Sequence, residues 1–134
     1  MAKYGDLQFV QGDLLNSDEL KNVFKNFEVD AVLHFAGVSQ IAGSVDNPQK
    51  YYTNNVCGTI NLLNSMLEYD VKKIVFSSSA AIYGEPCYIP IDENHPQNPI
   101  NPYGETKLIV EKNLEYSIMT AYEWEKLLKN TIRQ

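Results

Sequence analysis

"VDAVLHFAG", residues 29–37, decides the fold. It is β-branched and apolar through Phe35 and then ends in small residues. A strand buried on both faces of a parallel sheet reads this way, because crossover helices cover both sides. A second run, "VKKIVFSSSAAIYG" at 71–84, predicts a strand over Lys73–Ser77 that ends in a serine cluster. Upstream, "LQFVQGDLL" at 7–15 is short enough for a strand and its exit loop.

Helical patterns separate these runs. Asn16 and Glu19 in "NSDELKNVFKNF" have capping-box spacing. Leu20, Val23, Phe24 and Phe27 then recur on one helical face. Residues 38–45 read as loop. Asn47 and Pro48 suit an N-cap and a first helical position, opening a helix through Tyr51, Val56, Ile60, Leu63 and Leu67. From Gly84 to Pro102 there are five prolines and no periodicity, the mark of a long ordered loop or a lid. From Pro102 to Gln134 the pattern is helical throughout, as one helix or two.

Strand alternating with helix in this rhythm predicts an α/β fold, a Rossmann-like parallel sheet with right-handed crossovers. Such sheets bind ligands beyond the carboxyl ends of their strands. Gly12-Asp13, Phe35-Ala36-Gly37 and Ser77-Ser78-Ser79 fall there.

Composition narrows the function. Eleven basic against seventeen acidic residues in 134 give a net charge of −6, and no basic stripe exists to displace counterions from nucleic acid. Apolar content of 44% suits a soluble globular chain, and no run approaches the ~20 apolar residues of a membrane span. The opening "MAKYGDLQF" has no apolar h-region, so a cytoplasmic location is expected. Cys57 and Cys87 lack CxxC spacing and read as reduced thiols, with no metal site.

Asn101 and Pro102 suit the start of the last helix, which sets Tyr103 and Lys107 at i and i+4 on one face. A phenol titrates near ~10 when unperturbed, and a neighbouring cation favours its phenolate. Such a phenolate takes a proton from a sugar hydroxyl near neutral pH, and a strand-end serine, Ser79, suits a bond to the same oxygen. A tyrosine and lysine at this spacing are commonplace on a solvated helix face. The serine cluster and the parallel-sheet context favour chemistry instead. Asn54 and Asn55 stand in mid-helix, where amides need a partner, which points to a ligand or a loop tether. His34 reads as a satisfied core histidine and His95 as solvent-exposed; Tyr51, Tyr52, Tyr83 and Tyr88 read as core or rim packing.

Together these residues resemble the extended short-chain dehydrogenase/reductase family, most closely its UDP-hexose 4-epimerase branch, from Phe9 to about Glu115. "GDLLNSDEL" resembles the segment whose aspartate and next residue meet the adenine of NAD, here Asp13 and Leu14. Phe35, Ala36, Gly37, Val38 and Ser39 are similar to the stretch beneath the cofactor. In "NPQKYYTNNVCGTINLL", Asn54 falls on a cofactor-binding position. "FSSSAAIYG" and "NPYGETKLIVEK" supply the catalytic and cofactor-binding Ser79, Tyr103 and Lys107.

The resemblance implies interconversion of UDP-glucose and UDP-galactose with NAD, through a transient 4-keto sugar, as in galactose metabolism. Tyr103 would take the proton of the 4-hydroxyl, Lys107 would hold the nicotinamide ribose and favour the phenolate, and Ser79 would bond the substrate oxygen. The family's dehydratases carry an acidic pair after the catalytic hydroxyl residue; Ala80 and Ala81 stand there, which disfavours dehydration.

The glycine-rich phosphate turn that opens dinucleotide sites of this fold has no counterpart, since Gly5 and Gly12 are isolated. By the resemblance the chain lacks the first βαβ unit and most of the substrate domain. Residues 1–116 then form a partial NAD(P)-binding Rossmann-like domain, and 117–134 a helix whose Tyr122–Trp124 pattern is similar to the family's last helix. An unpaired strand edge and self-association, or a homo-oligomer, are expected. Two readings follow: an NAD-dependent nucleotide-sugar epimerase, or a non-catalytic remnant or binding module of that family.

Overall fold

Asn16 starts the first helix, α1 (Ser17–Asn26), by accepting from the backbone N–H groups of Asp18 and Glu19 at 3.2 and 3.4 Å. Glu19 closes the box by accepting from Asn16 Nδ2 and from the Asp13 N–H, both at 2.8 Å. The carboxylate thus ties down the preceding loop as well as the cap. The computed structural model describes residues 7–131, with side chains described through residue 117.

Two strands follow in the described residues, β1 (Val32–His34) and β2 (Ile74–Phe76). They pair in parallel, Val32 with Ile74, Leu33 with Val75 and His34 with Phe76. Helices α2 (Ile41–Asp46), α3 (Pro48–Tyr51) and α4 (Gly58–Glu68) make the crossover between them. Phe24 of α1 packs with Leu62, Leu63 and Met66 of α4 and with Val71, and this cluster is the core. Each such side chain contributes about 1.5–3 kcal/mol on burial.

The parallel α/β architecture stands as expected, with three corrections. The run at 7–15 is not a strand: Leu7 and Phe9 are 96% and 87% exposed. A strand exists through ladder bonds to a neighbour, and no described segment offers it one. Nor is β1 buried on both faces. His34 and Phe76 face the helices, whereas Leu33 and Val75 are 63% and 58% exposed on the other side. Residues 38–45 are not all loop, because α2 begins at Ile41. Too short to persist by propensity, α2 is held by the buried Ser44, whose hydroxyl donates to Ile41 O at 2.6 Å, and by Tyr51, whose hydroxyl donates to Gln40 O at 2.5 Å.

The Asn47-Pro48 start is as expected, with Asn47 Oδ1 accepting from the Lys50 N–H at 3.2 Å. Between α3 and α4 the helix widens to a π turn over Tyr52–Cys57. Such insertions rotate side chains relative to a regular helix and recur at functional sites. Asp70, with φ 58°, ends α4, and the Val71 N–H returns to Met66 O at 2.8 Å.

The last helix, α5 (Pro102–Thr131), is one continuous element. Asn101 Oδ1 caps it by accepting from the Gly104 N–H at 2.8 Å. The side chains of Tyr122–Trp124 lie outside the described residues. The proline-rich loop winds about His95, which is buried rather than exposed: Nε2 accepts from the Cys87 N–H at 3.1 Å, and the ring centre lies 4.3 Å from that of Tyr88 with the planes tilted by 52°. Cys57 and Cys87 are free thiols.

Candidate functional site

Glycine at 104 is what lets α5 approach the end of β2. A Cβ at that position would overlap the Ala81 carbonyl oxygen. The first turn of α5 therefore rests on the short 3-10 turn Ala80–Ile82 that follows the serine cluster. Ser79 caps this turn, its Oγ accepting from the Ala81 N–H at 3.2 Å, and the hydroxyl proton is left for another acceptor. Tyr103, on the turn of α5 that meets Ala81, is buried.

Lys107 is 6% exposed, rare for a lysine, and the reason is local. Its Nζ donates to Ser77 O at 2.9 Å, lies 4.6 Å from the centre of the Phe76 ring and 5.9 Å from that of Tyr103. The carbonyl and the ring face offset part of the lost hydration. Burial still pushes the ammonium below its usual range. Ser78 Oγ, next along the strand end, is buried without a partner among the described residues.

The loop after β1 is held against this cluster by Asn55, which the π turn aims inward. Its Oδ1 accepts from the Val38 N–H at 2.7 Å and its Nδ2 donates to Val38 O at 3.0 Å. The same Nδ2 donates to Thr106 Oγ1 at 3.2 Å, and Thr106 in turn donates to Tyr103 O at 2.7 Å. One amide thus joins the β1 exit loop to the helix that carries Tyr103 and Lys107. Gly37 is pressed into the joint: a Cβ there would stand 3.0 Å from Asn55 Oδ1 and 3.9 Å from Lys107 Nζ. Of the amide pair singled out in the sequence, Asn55 is the loop tether. Asn54, whose Nδ2 donates to Lys50 O at 2.8 Å, lines the neighbouring cavity.

That cavity, of about 680 Å³, is open and lined by residues 11–14, Glu19, residues 36–38 and Asn54. It gathers Asp13, Leu14, Ala36, Gly37, Val38 and Asn54 from three separate segments, two loops and the π turn. Phe35, Ser39, Ser79, Tyr103 and Lys107 are not in its lining. Phe35 is exposed at the end of β1, and Lys107 stands behind Gly37. Asp13 keeps the turn role open to any such aspartate, its Oδ1 accepting from the Leu15 N–H at 2.9 Å. His34 is the core histidine expected, with Nε2 at 2.8 Å from Thr59 Oγ1.

A family model described as GDP-mannose 4,6 dehydratase matches residues 2–129. The UDP-glucose 4-epimerase of Halalkalibacterium halodurans is 54% identical over 107 residues, 80% of this chain and 32% of that protein. The crystal structure of the Brucella ovis UDP-glucose 4-epimerase in complex with NAD superposes with a TM-score of 0.78 at 46% identity, covering 80% of this chain and 33% of that one. The Bifidobacterium longum enzyme, in complex with NAD+ and UDP, gives a TM-score of 0.81 at 40% identity, covering 83% and 33%. The chain spans about a third of the length of the curated relatives it matches.

Proposed function

Because the chain belongs to the GDP-mannose 4,6 dehydratase family, we propose that it carries the catalytic segment of an NAD-dependent UDP-glucose 4-epimerase, interconverting UDP-glucose and UDP-galactose. The observation that carries this reading is the buried pair on α5, with Lys107 fixed to the Ser77 carbonyl beside Tyr103. Ala80 and Ala81, directly after Ser79, offer no acid for dehydration.

The residues present fit part of a dinucleotide. The cavity beside residues 36–38 is large enough for a nucleoside, and Gly37 removes the side chain that would crowd Asn55 and Lys107. Asp13 and Leu14 would meet the adenine, residues 35–39 and Asn54 would line the path, and Ser79, Tyr103 and Lys107 would close its far end. NAD bound there supplies a reversible hydride acceptor for the carbon that bears the hydroxyl.

Tyr103 takes the proton from the sugar 4-hydroxyl and returns it after the 4-keto sugar has turned over. Lys107, fixed by Ser77 O, would keep a positive charge beside the phenol and would donate to the nicotinamide ribose. Ser79 donates its free hydroxyl proton to the oxygen at C4 and holds it in reach. We assign residues 1–116 to the dinucleotide-binding unit and 117–134 to a C-terminal extension, into which α5 runs on without a break as far as Thr131. The edge of β1 that has no strand partner among the described residues, and the open Leu33–Val75 face, favour self-association. Cytoplasmic galactose metabolism is the setting this chemistry implies.

The test is the purified chain with NAD and UDP-galactose. Formation of UDP-glucose together with NAD-dependent thermal stabilisation supports the reading. The absence of both turnover and stabilisation would overturn it and leave a non-catalytic member of the family.

A further inference from the structure

His34 closes β1 and Phe76, its partner in register, closes β2. Residues paired across a ladder point to the same face, and their ring centres are 5.4 Å apart at 33°. Lys107 reaches the same Phe76 ring from α5, its Nζ 4.6 Å from the centre while it donates to Ser77 O. One benzene ring therefore touches both an imidazole and an ammonium.

The hydrogen bonds fix which nitrogen of His34 carries the proton. The Thr59 hydroxyl has one hydrogen and donates it to Asn55 O at 2.6 Å. Its 2.8 Å contact with His34 Nε2 leaves the hydroxyl as acceptor, so Nε2 is the donor and the neutral ring is the Nε2–H form. Protonation would keep that bond and add a second hydrogen at Nδ1. What changes is charge: a buried imidazolium would stand against the same Phe76 ring that the Lys107 ammonium contacts. Burial, and next the Lys107 charge, hold the imidazole below its usual range. Thr59 from α4, Phe76 from β2 and Lys107 from α5 face the ring, and Lys107 is the one among them that is charged.

We infer that His34 is a positioning residue for Lys107: its neutral ring, held by Thr59, braces Phe76 so that the ammonium stays over that ring and on the Ser77 carbonyl, and a charged His34 drives it away. What Lys107 is positioned for rests on the proposed epimerase reading; the coupling itself does not.

The experiment is NMR on the whole chain labelled in histidine and lysine, with no nucleotide present. With only two histidines, a His95→Phe variant assigns the His34 signals. At neutral pH the imidazole nitrogens are expected to show the Nε2–H pattern. On acidification the Lys107 side-chain carbon signals should move with the same midpoint as His34. In Lys107→Met the His34 midpoint should rise, because the repelling charge is gone. Thr59→Ser should preserve the tautomer, and Thr59→Val should lose it. An Nδ1–H pattern, a His34 midpoint unmoved by Lys107→Met, or a Lys107 signal indifferent to His34 titration would each overturn the inference. Absence of epimerase turnover would leave these readouts unchanged, so the two failures are separable.

Discussion

Asn55 pairs with Val38 as a strand would, accepting from its N–H at 2.7 Å and donating to its C=O at 3.0 Å through one side-chain amide. The loop beyond β1 has no regular structure of its own at this point, and the amide supplies the missing ladder rung. Because Asn55 also donates to Thr106, that rung is shared with the helix bearing Tyr103 and Lys107.

Replacing Asn55 with alanine leaves both Val38 polar groups and the Thr106 hydroxyl short of a partner. A loss on the order of 3 kcal/mol is expected from that desolvation cost. Urea denaturation measures it, and amide exchange at Val38 should accelerate in the same variant. A loss within about 0.5 kcal/mol, the scatter of ordinary surface substitutions, would mean that the loop is held elsewhere.

At Gly104, alanine should destabilise although it is the better helix former. Propensity favours alanine by about 1 kcal/mol, but the added carbon overlaps the Ala81 carbonyl oxygen and forces α5 off the Ser79 turn. Overpacking of this kind costs about 1–3 kcal/mol. A thermal midpoint that falls in Gly104→Ala is the expected result, and a rise would show that the helix is free to shift.

Stability should fall on the acid side. The unfolded His34 takes up a proton near its ordinary value of 6.5, while the buried ring resists one. The unfolded state then binds more protons below that pH, so unfolding free energy is full above it and declines as pH drops, by at most about 1.4 kcal/mol per pH unit for one proton. Lys107 has the same sign in the alkaline range: its folded value is lowered from 10.5, so stability rises with pH between the two. Urea midpoints across pH 5–8, a window spanning roughly the histidine range, check the first; a Lys107→Met variant should show a shallower acid slope.

The open face of the sheet makes a fourth expectation. Leu33 and Val75 are neighbours in register and both are exposed, beside a strand edge that is unpaired among the described residues. Paired apolar side chains on an uncovered sheet promote association. Size-exclusion chromatography with light scattering should find species heavier than the 15.2 kDa chain. The double variant Leu33→Lys, Val75→Lys should shift them toward the monomer.

What the sequence disclosed was local in origin. Asn16, Asn47 and Asn101 all cap where their spacing says, and Tyr103 and Lys107 share a helix face because four residues make one turn. What it concealed depends on distant neighbours. Asn54 and Asn55 are indistinguishable in composition; only the π turn decides which amide meets Val38 and which lines the cavity. His95 reads as an exposed loop residue until Tyr83 and Tyr88 are seen to enclose it. The residues 7–15 carry a strand's composition, and composition cannot supply the neighbouring strand that would make them one.

The most direct measurement follows the sugar nucleotides from both sides. The chain is incubated with NAD and either UDP-glucose or UDP-galactose, and the two species are separated over time. Convergence on the same ratio from both starting points, lost in Tyr103→Phe, is the expected result. A mixture that never departs from its starting sugar, or a conversion that survives Tyr103→Phe undiminished, would contradict it.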